Sequence, residues 1–172
     1  DGDDIMFDIS GDNSGVIALN DQLSPSVVWA MNPLGHDYVI AGNGAFTGTM
    51  ELVKSMAGTF TLNGDHTYSG LTRISEGTLC VNGSLAGPVR VDAHGTLSGN
   101  VLLADTLVLQ PGLHTEGSRL APGNGLASGK LGKMTLNRSL VLNGKSTLHF
   151  DILPDDNYKN DSLVINGDLR LS

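Results

Sequence analysis

GTFTLNGDHTYSGLTRISEGTLCVNGSL, residues 58–85, says nearly the same thing twice. Gly58-Thr-Phe-Thr-Leu-Asn-Gly64 returns as Gly77-Thr-Leu-Cys-Val-Asn-Gly83. Phe60 and Leu62 in the first copy, and Leu79 and Val81 in the second, alternate with polar or small residues and give each run one apolar face. Asn63-Gly64 and Asn82-Gly83 then read as turns that close the two strands. Gly-Thr openings recur at Gly58, Gly77 and Gly95, eighteen or nineteen residues apart. In a hairpin fold, an Asn-Gly turn would join two paired strands of matched length. Here the strand itself recurs, which suits one circuit of a parallel β-helix, where each copy lies on the one before it and like side chains stack.

The pattern extends outward from this stretch. Leu142-Asn143-Gly144 and Ile165-Asn166-Gly167 repeat the strand ending, twenty-three residues apart, and the runs Thr72–Ile74, Val89–Val91, 106–109 and 147–150 alternate in the same way. The expected fold is all-β: a parallel β-helix of roughly eight rungs at about 20 residues each, on the order of 40 Å long. Leu62, Leu79, Val81, Leu97, Leu142 and Ile165 are the expected inward ladder. Asn63, Asn82, Asn143 and Asn166 are expected at the turns, in line, each beside a glycine (Gly64, Gly83, Gly144, Gly167) that tolerates positive φ. Residues 58–172 form the repeats. Residues 1–57, with Trp29, Asn32-Pro33 and Asn43-Gly44, read as irregular β-rich rungs or a cap, continuous with the same solenoid, and Trp29 as a core or cap residue. Gly112 to Lys130, with Pro122 and several glycines, reads as a loop. Leu169-Arg-Leu171-Ser172 stops on an alternating strand without a capping pattern, as expected of a piece of a longer solenoid or of a chain in which a further domain follows.

Composition agrees with this. Of 172 residues, 23 are glycine, 5% are aromatic and only 16% are charged, a mix suited to short strands and tight turns rather than to a helical bundle. The net charge of −8, with no Lys/Arg cluster, opposes nucleic acid and anionic membrane surfaces as partners. No apolar run is long enough to span a bilayer as a helix, so no direct membrane insertion is expected. Asp1-Gly2-Asp3-Asp4 lacks the order of a signal peptide and reads as the start of an excised segment or mature product. The single cysteine, Cys80, excludes an internal disulfide, and its place between Leu79 and Val81 turns it outward if they turn inward.

Candidates for chemistry are few. The carboxylates are scattered and mostly at turns, so no acid/base pair is assigned. The five histidines have no zinc-ligand spacing, no serine sits in a nucleophile elbow, and no glycine-rich loop opens a helix. The oxygen-rich stretch Asp155-Asp-Asn-Tyr-Lys-Asn-Asp161 has the atoms for calcium but lacks the EF-hand glycine and terminal Glu, and reads as a solvated loop. Trp29, Tyr38 and Tyr68 are the candidate aromatic platforms for a sugar or protein ligand, with Tyr68 better placed at a packed corner. The expectation is a non-enzyme without cofactor or metal.

An ordered set of motifs resembles the autotransporter-associated β-strand repeat of bacterial passenger β-helices. It consists of Gly58-Thr59-Phe60-Thr61-Leu62, then Thr67-Tyr68-Ser69-Gly70-Leu71-Thr72, then Gly77-Thr78-Leu79-Cys80-Val81. His66 stands where that repeat usually has Asn. Downstream, Leu120-Ala-Pro-Gly-Asn124 and Asp161-Ser-Leu-Val-Ile165 resemble segments of late passenger rungs, so that the likeness covers roughly residues 42–172. The resemblance implies a right-handed parallel β-helix, secreted or held at the surface of a Gram-negative bacterium. It also implies partners within the same chain, namely flanking passenger and translocator domains, and a role as a structural stem in display and export. Two alternatives stay open: an adhesin face that binds a host-surface protein or glycan or self-associates, and an accessory domain of a secreted polysaccharide-degrading or subtilisin-like protein.

Overall fold

The computed structural model describes residues 2–11, 15–112, 117–123, 131–152 and 160–172. Twenty strands and no helix occur among them, and every ladder between strands is parallel. The chain winds as a parallel β-helix.

One face is an eight-stranded sheet in chain order: β1 (Ile5–Phe7), β4 (Val27–Met31), β7 (Glu51–Ser55), β9 (Thr72–Ile74), β11 (Val89–Val91), β14 (Leu107–Leu109), β17 (Leu140–Leu142) and β20 (Leu169–Leu171). A second face runs through β2 (Val16–Ala18), β5 (Tyr38–Ala41), β8 (Thr59–His66), β10 (Gly77–Leu85), β12 (Gly95–Gly99), β15 (Arg119–Pro122) and β18 (Thr147–Leu148). The third face begins as the short pair β3 (Gln22–Leu23) and β6 (Ala45–Phe46). It continues through the far halves of β8 and β10 into β13 (Val101–Leu103), β16 (Lys133–Leu136) and β19 (Ser162–Ile165).

Inward side chains form rows because stacked parallel strands keep their register, and alternate residues of each strand face one side. Tyr38, Phe60, Leu79, Leu97, Leu120 and Leu148 make one row. Leu85, Leu103, Leu136 and Ile165 make another, headed by His66. Leu62, Leu79, Val81 and Leu97 are fully buried, as expected, while Leu142 and Ile165 are half-buried against the same core. Each fully buried Leu contributes about 1.5–3 kcal/mol relative to exposure.

Several local expectations are corrected. Asn63-Gly64 and Asn82-Gly83 do not end strands. They lie inside β8 and β10, at the corner where one long strand bends from the second face to the third. Asn143 and Asn166 are not in line with each other: Asn143 follows β17 on the first face and Asn166 follows β19 on the third. Their twenty-three-residue spacing is therefore not a rung. The positive φ near Asn143 falls on Lys145, not Gly144, and Gly167 has none. The stretch read as a loop over 112–130 contains β15, because Leu120, Ala121 and Pro122 stack on β12. Of the run 147–150, only Thr147–Leu148 is strand. Trp29 is not in the core: Val28 and Ala30 beside it are fully buried, so Trp29 faces outward, between Met6 and Val53.

Candidate functional site

A ladder of side-chain hydrogen bonds runs along the corner that the Asn-Gly motif marks. The Asn82 side-chain N–H donates to Asn63 Oδ1 at 2.9 Å, so the asparagines of the opening repeat do stack. Asn82 Oδ1 in turn accepts the Asn100 backbone N–H at 3.4 Å, and Asn100 Oδ1 accepts the Lys133 N–H at 2.8 Å. The ladder thus continues through Asn100, which no Asn-Gly motif announces. Gly83 adopts φ 151°, and a Cβ there would collide with the Gly64 carbonyl, so glycine is what lets the bend stack. Asn166 makes a separate, exposed contact, donating to Asn137 Oδ1 at 3.1 Å. Asn143 Oδ1 accepts from the Ser172 hydroxyl.

Asp161, assigned by sequence to the oxygen-rich stretch, also serves a corner. Its carboxylate accepts the N–H groups of Gly132 and Asp151, both at 2.8 Å, just ahead of β19. The calcium question for 155–159 lies outside the described residues. Among the described residues, no group of three or more His, Cys, Asp or Glu side chains converges as metal ligands would.

The next corner holds Tyr68 and Gly70. Tyr68 is fully buried and shares a 2.6 Å hydrogen bond with Thr72 Oγ1, and burial raises its hydroxyl above the ordinary range. Thr72 is the polar member of the row Leu52–Thr72–Val89–Leu107. The bond to Tyr68 satisfies both hydroxyls in a dry interior. Gly70 passes so close to the Met50 carbonyl that no side chain fits. Gly58 and Gly77 sit at the opposite corner, against Pro33 and Met56 carbonyls, and Gly77 has φ 72°.

Sequence reasoning missed two buried ionisable groups. Lys54 occupies an inward position between Ala30 and Ile74 and is solvent-excluded. Its ammonium donates to the carbonyls of Met56 (2.6 Å), Ser55 (2.8 Å) and Glu76 (3.3 Å). Burial pulls it from its usual 10.5 to about 8, against the opposing pull of Glu76 and Asp37. The signal was present: ELVKS alternates, and Lys54 falls in step with Leu52. His66 is also buried. Its Nδ1 accepts the Phe46 N–H at 3.1 Å, and its ring stacks on Phe46 with centroids 5.5 Å apart. An Asn side-chain oxygen can accept such a bond, which accounts for His at a position where the resembling repeat has Asn. Burial lowers the imidazole below its ordinary value, while Asp65 and the Asn63 carbonyl act the other way.

Of the aromatic platforms, Tyr38 and Tyr68 are inside, Tyr38 with its hydroxyl on the Asp8 carbonyl at 2.6 Å. Cys80 does turn outward, but it is buried between Thr61 and Ser98, and burial raises its thiol. A raised thiol is a poor nucleophile at neutral pH.

The stacked corners find their counterpart in known sequences. Residues 52–81, from β7 into β10, match the model of the passenger-associated transport repeat. An adhesin autotransporter, BmaC of Brucella suis biovar 1 (strain 1330), is 33% identical over 137 residues, 77% of this chain and 3% of its own length. The chain thus carries a repeat of the autotransporter passenger type. An extracellular serine protease of Serratia marcescens is 35% identical over 89 residues, 52% of this chain and 7% of that protein. A second protein of that name from the same organism is 43% identical over 49 residues, 28% of this chain and 5% of its own. The chain therefore spans 3–7% of the length of the relatives it matches. No solved structure matches it significantly. As an autotransporter passenger segment, the protein is secreted or displayed at the surface of a Gram-negative bacterium, and the family implies flanking domains in the same chain.

Proposed function

We propose that this passenger segment is a structural stem: it supports the display and export of a functional domain carried elsewhere in the full-length chain, and catalyses nothing itself. The observation that carries this reading is the register of β8 on β10, eight consecutive pairs from Thr59↔Thr78 to His66↔Leu85, with Asn on Asn and Gly on Gly. Its polar side chains are spent in the same way. Asn82, Asp161, Lys54 and His66 all hold the backbone or a neighbouring rung. Such a rod folds by adding each rung to a finished neighbour, over sequence separations as short as 17 residues between Arg73 and Arg90. Folding that proceeds rung by rung outside the cell would draw the remaining chain outward.

The test is Leu79→Asp in the full-length protein, which puts a carboxylate into the dry core. Surface display of the protease-resistant passenger should fall sharply, while any released functional domain keeps its activity per molecule. Normal display with loss of activity would defeat the stem reading. The likeness to the BmaC adhesin favours a second reading, in which this face binds a host-surface ligand. Saturable attachment of the purified protein to host cells, abolished by outward substitutions that leave stability intact, would select it.

A further inference from the structure

The outer face of the eight-stranded sheet carries a row that the stem reading does not use. In register order it reads Met6, Trp29, Val53, Arg73, Arg90, Val108, Val141, Arg170. Trp29, itself half-buried, lies between the exposed Met6 and the half-buried Val53, turned outward by the same alternation that buries Val28 and Ala30. Two strands on, Arg73 and Arg90 are paired neighbours. Both donate through Nε to one carboxylate, Asp92, to Oδ2 at 2.6 Å and to Oδ1 at 2.7 Å. Asp92 is 15% exposed and the arginines 49% and 44%. The acid is thus the fixed post, and the guanidinium groups are presented to solvent.

Like charges on adjacent strands repel, and Asp92 holds them in place. Two cations over one anion leave a surplus of positive charge at this spot, on a protein whose net charge is −8. Among the described residues, each guanidinium bonds Asp92 through its Nε, and the half-exposed side chains leave planar terminal N–H groups as further donors. That geometry matches a carboxylate two bonds at a time, in a way a lysine cannot. Glu51, paired with Val27, lies on the same outer face, on the side of the row away from Asp92. From Trp29 to Arg73 is two strand spacings, roughly 10 Å, about the span of a disaccharide.

We infer that this row is a binding strip for a uronate-bearing polysaccharide lying along the β-helix axis, with a sugar ring on Trp29 and a carboxylate on Arg73 and Arg90. Binding here does not depend on the stem role, and an adhesive or matrix-holding function would be added to it.

Trigalacturonate and its methyl ester, titrated calorimetrically into the purified protein, separate charge from sugar shape. The acid should bind saturably and weaken with added salt. The ester, identical but uncharged, should bind at least about tenfold more weakly, the effect of losing a charge-assisted hydrogen-bond pair. Arg73→Gln/Arg90→Gln should remove binding of the acid, and Trp29→Leu, which keeps the apolar contact with Val53, should weaken it several-fold. Arg90→Lys keeps the charge but loses the planar fork; it should also weaken binding, and it tests the site if the double variant fails to fold. Arg170→Gln, further along the same row, should leave affinity unchanged. Absence of binding by the acid, equal affinity for acid and ester, or equal sensitivity to Arg170→Gln and the Arg73/Arg90 change would each overturn the inference.

Discussion

The rungs over 59–103 and those after Leu109 are made by the same rule and hold together differently. In the first region, paired residues stand 17 to 19 apart, β8 and β10 run unbroken around a corner, and Phe60, Leu62, Leu79, Val81, Leu85, Leu97 and Leu103 are all at 0% exposure. In the second, Val101 pairs with Met134 and Arg119 with Thr147, steps of 33 and 28. There β18 is two residues long, and no residue of β20 is buried. Two of the later insertions leave from one place, between β15 and β16 and between β18 and β19, at the corner that Asn63, Asn82 and Asn100 mark in the compact rungs. A corner tolerates added chain because closing a longer loop costs little more than closing a short one, whereas an extra residue within a strand would turn its apolar face outward.

The most direct way to break that comparison is a matched pair of truncations. Leu79→Ala should cost about 3–4 kcal/mol, since the site is walled by Phe60 and Leu97 and cannot collapse. Leu171→Ala, at 74% exposure, should stay within about 0.5 kcal/mol. Urea midpoints of both variants decide it, and similar losses would mean that the two regions unfold as one unit with no gradient of packing.

Lys54 sharpens the picture from inside the compact side. Lys54→Ala removes the donor to three carbonyls and should cost about 2–3 kcal/mol at pH 7. Its pH signature is opposite in sign to a surface ion pair. The folded value, about 8, lies below the usual 10.5, so across that window the unfolded chain binds the proton and the native chain does not. Stability therefore rises from about pH 8 to 10.5 relative to Lys54→Met. A flat difference between the two proteins over that range would show that the ammonium is not desolvated as the structure places it.

The part of this legible in sequence was the part written by repetition. Gly-Thr-Leu strands and inward Leu and Val positions predict the stacked sheets, because like residues occupy like places. What failed did so for identifiable reasons. Asn-Gly marks a change of chain direction, and only the partner strand tells a hairpin turn from a corner inside a continuing strand, so Asn63 and Asn82 were located correctly but given the wrong geometry. Asn143 and Asn166 share the motif but sit on different faces, since a 29-residue rung had absorbed an insertion. Trp29 was drawn into the core by its apolar neighbours, although strict alternation with Val28 and Ala30 already put it outside. Lys54 and His66 were overlooked because charge suggests surface, whereas carbonyls accept the Lys54 ammonium and the Phe46 N–H donates to His66 Nδ1 inside the rod.

His66 stands at the head of an apolar row and tests the join between the irregular early rungs and the compact ones. His66→Leu leaves the Phe46 N–H without an acceptor and should cost about 1–2 kcal/mol, while His66→Asn should retain most of the stability. Burial holds the imidazole below its usual 6.5. The stability of the native protein is thus full above pH 6.5 and falls as the pH drops through it, because the unfolded chain takes up a proton that the native one refuses. Denaturation at pH 7.5 and pH 5 should show that decline in the parent and a smaller one in His66→Asn. An equal decline in both would assign acid sensitivity to other groups.

The smallest expected effect compares two asparagines with the same next neighbour. Asn82 bonds Asn63 across a part-buried corner and receives the Asn100 N–H, so Asn82→Ala strands partners that water reaches poorly and should cost about 1 kcal/mol. Asn166 bonds Asn137 in the open, where water replaces the contact, so Asn166→Ala should cost only a few tenths of a kcal/mol. Adding Asn63→Ala to Asn82→Ala should recover part of the loss, since both ends of the bond then disappear together. If the two single substitutions cost the same, burial does not set the worth of the ladder, and the distinction between the compact and extended rungs rests on their aliphatic rows alone.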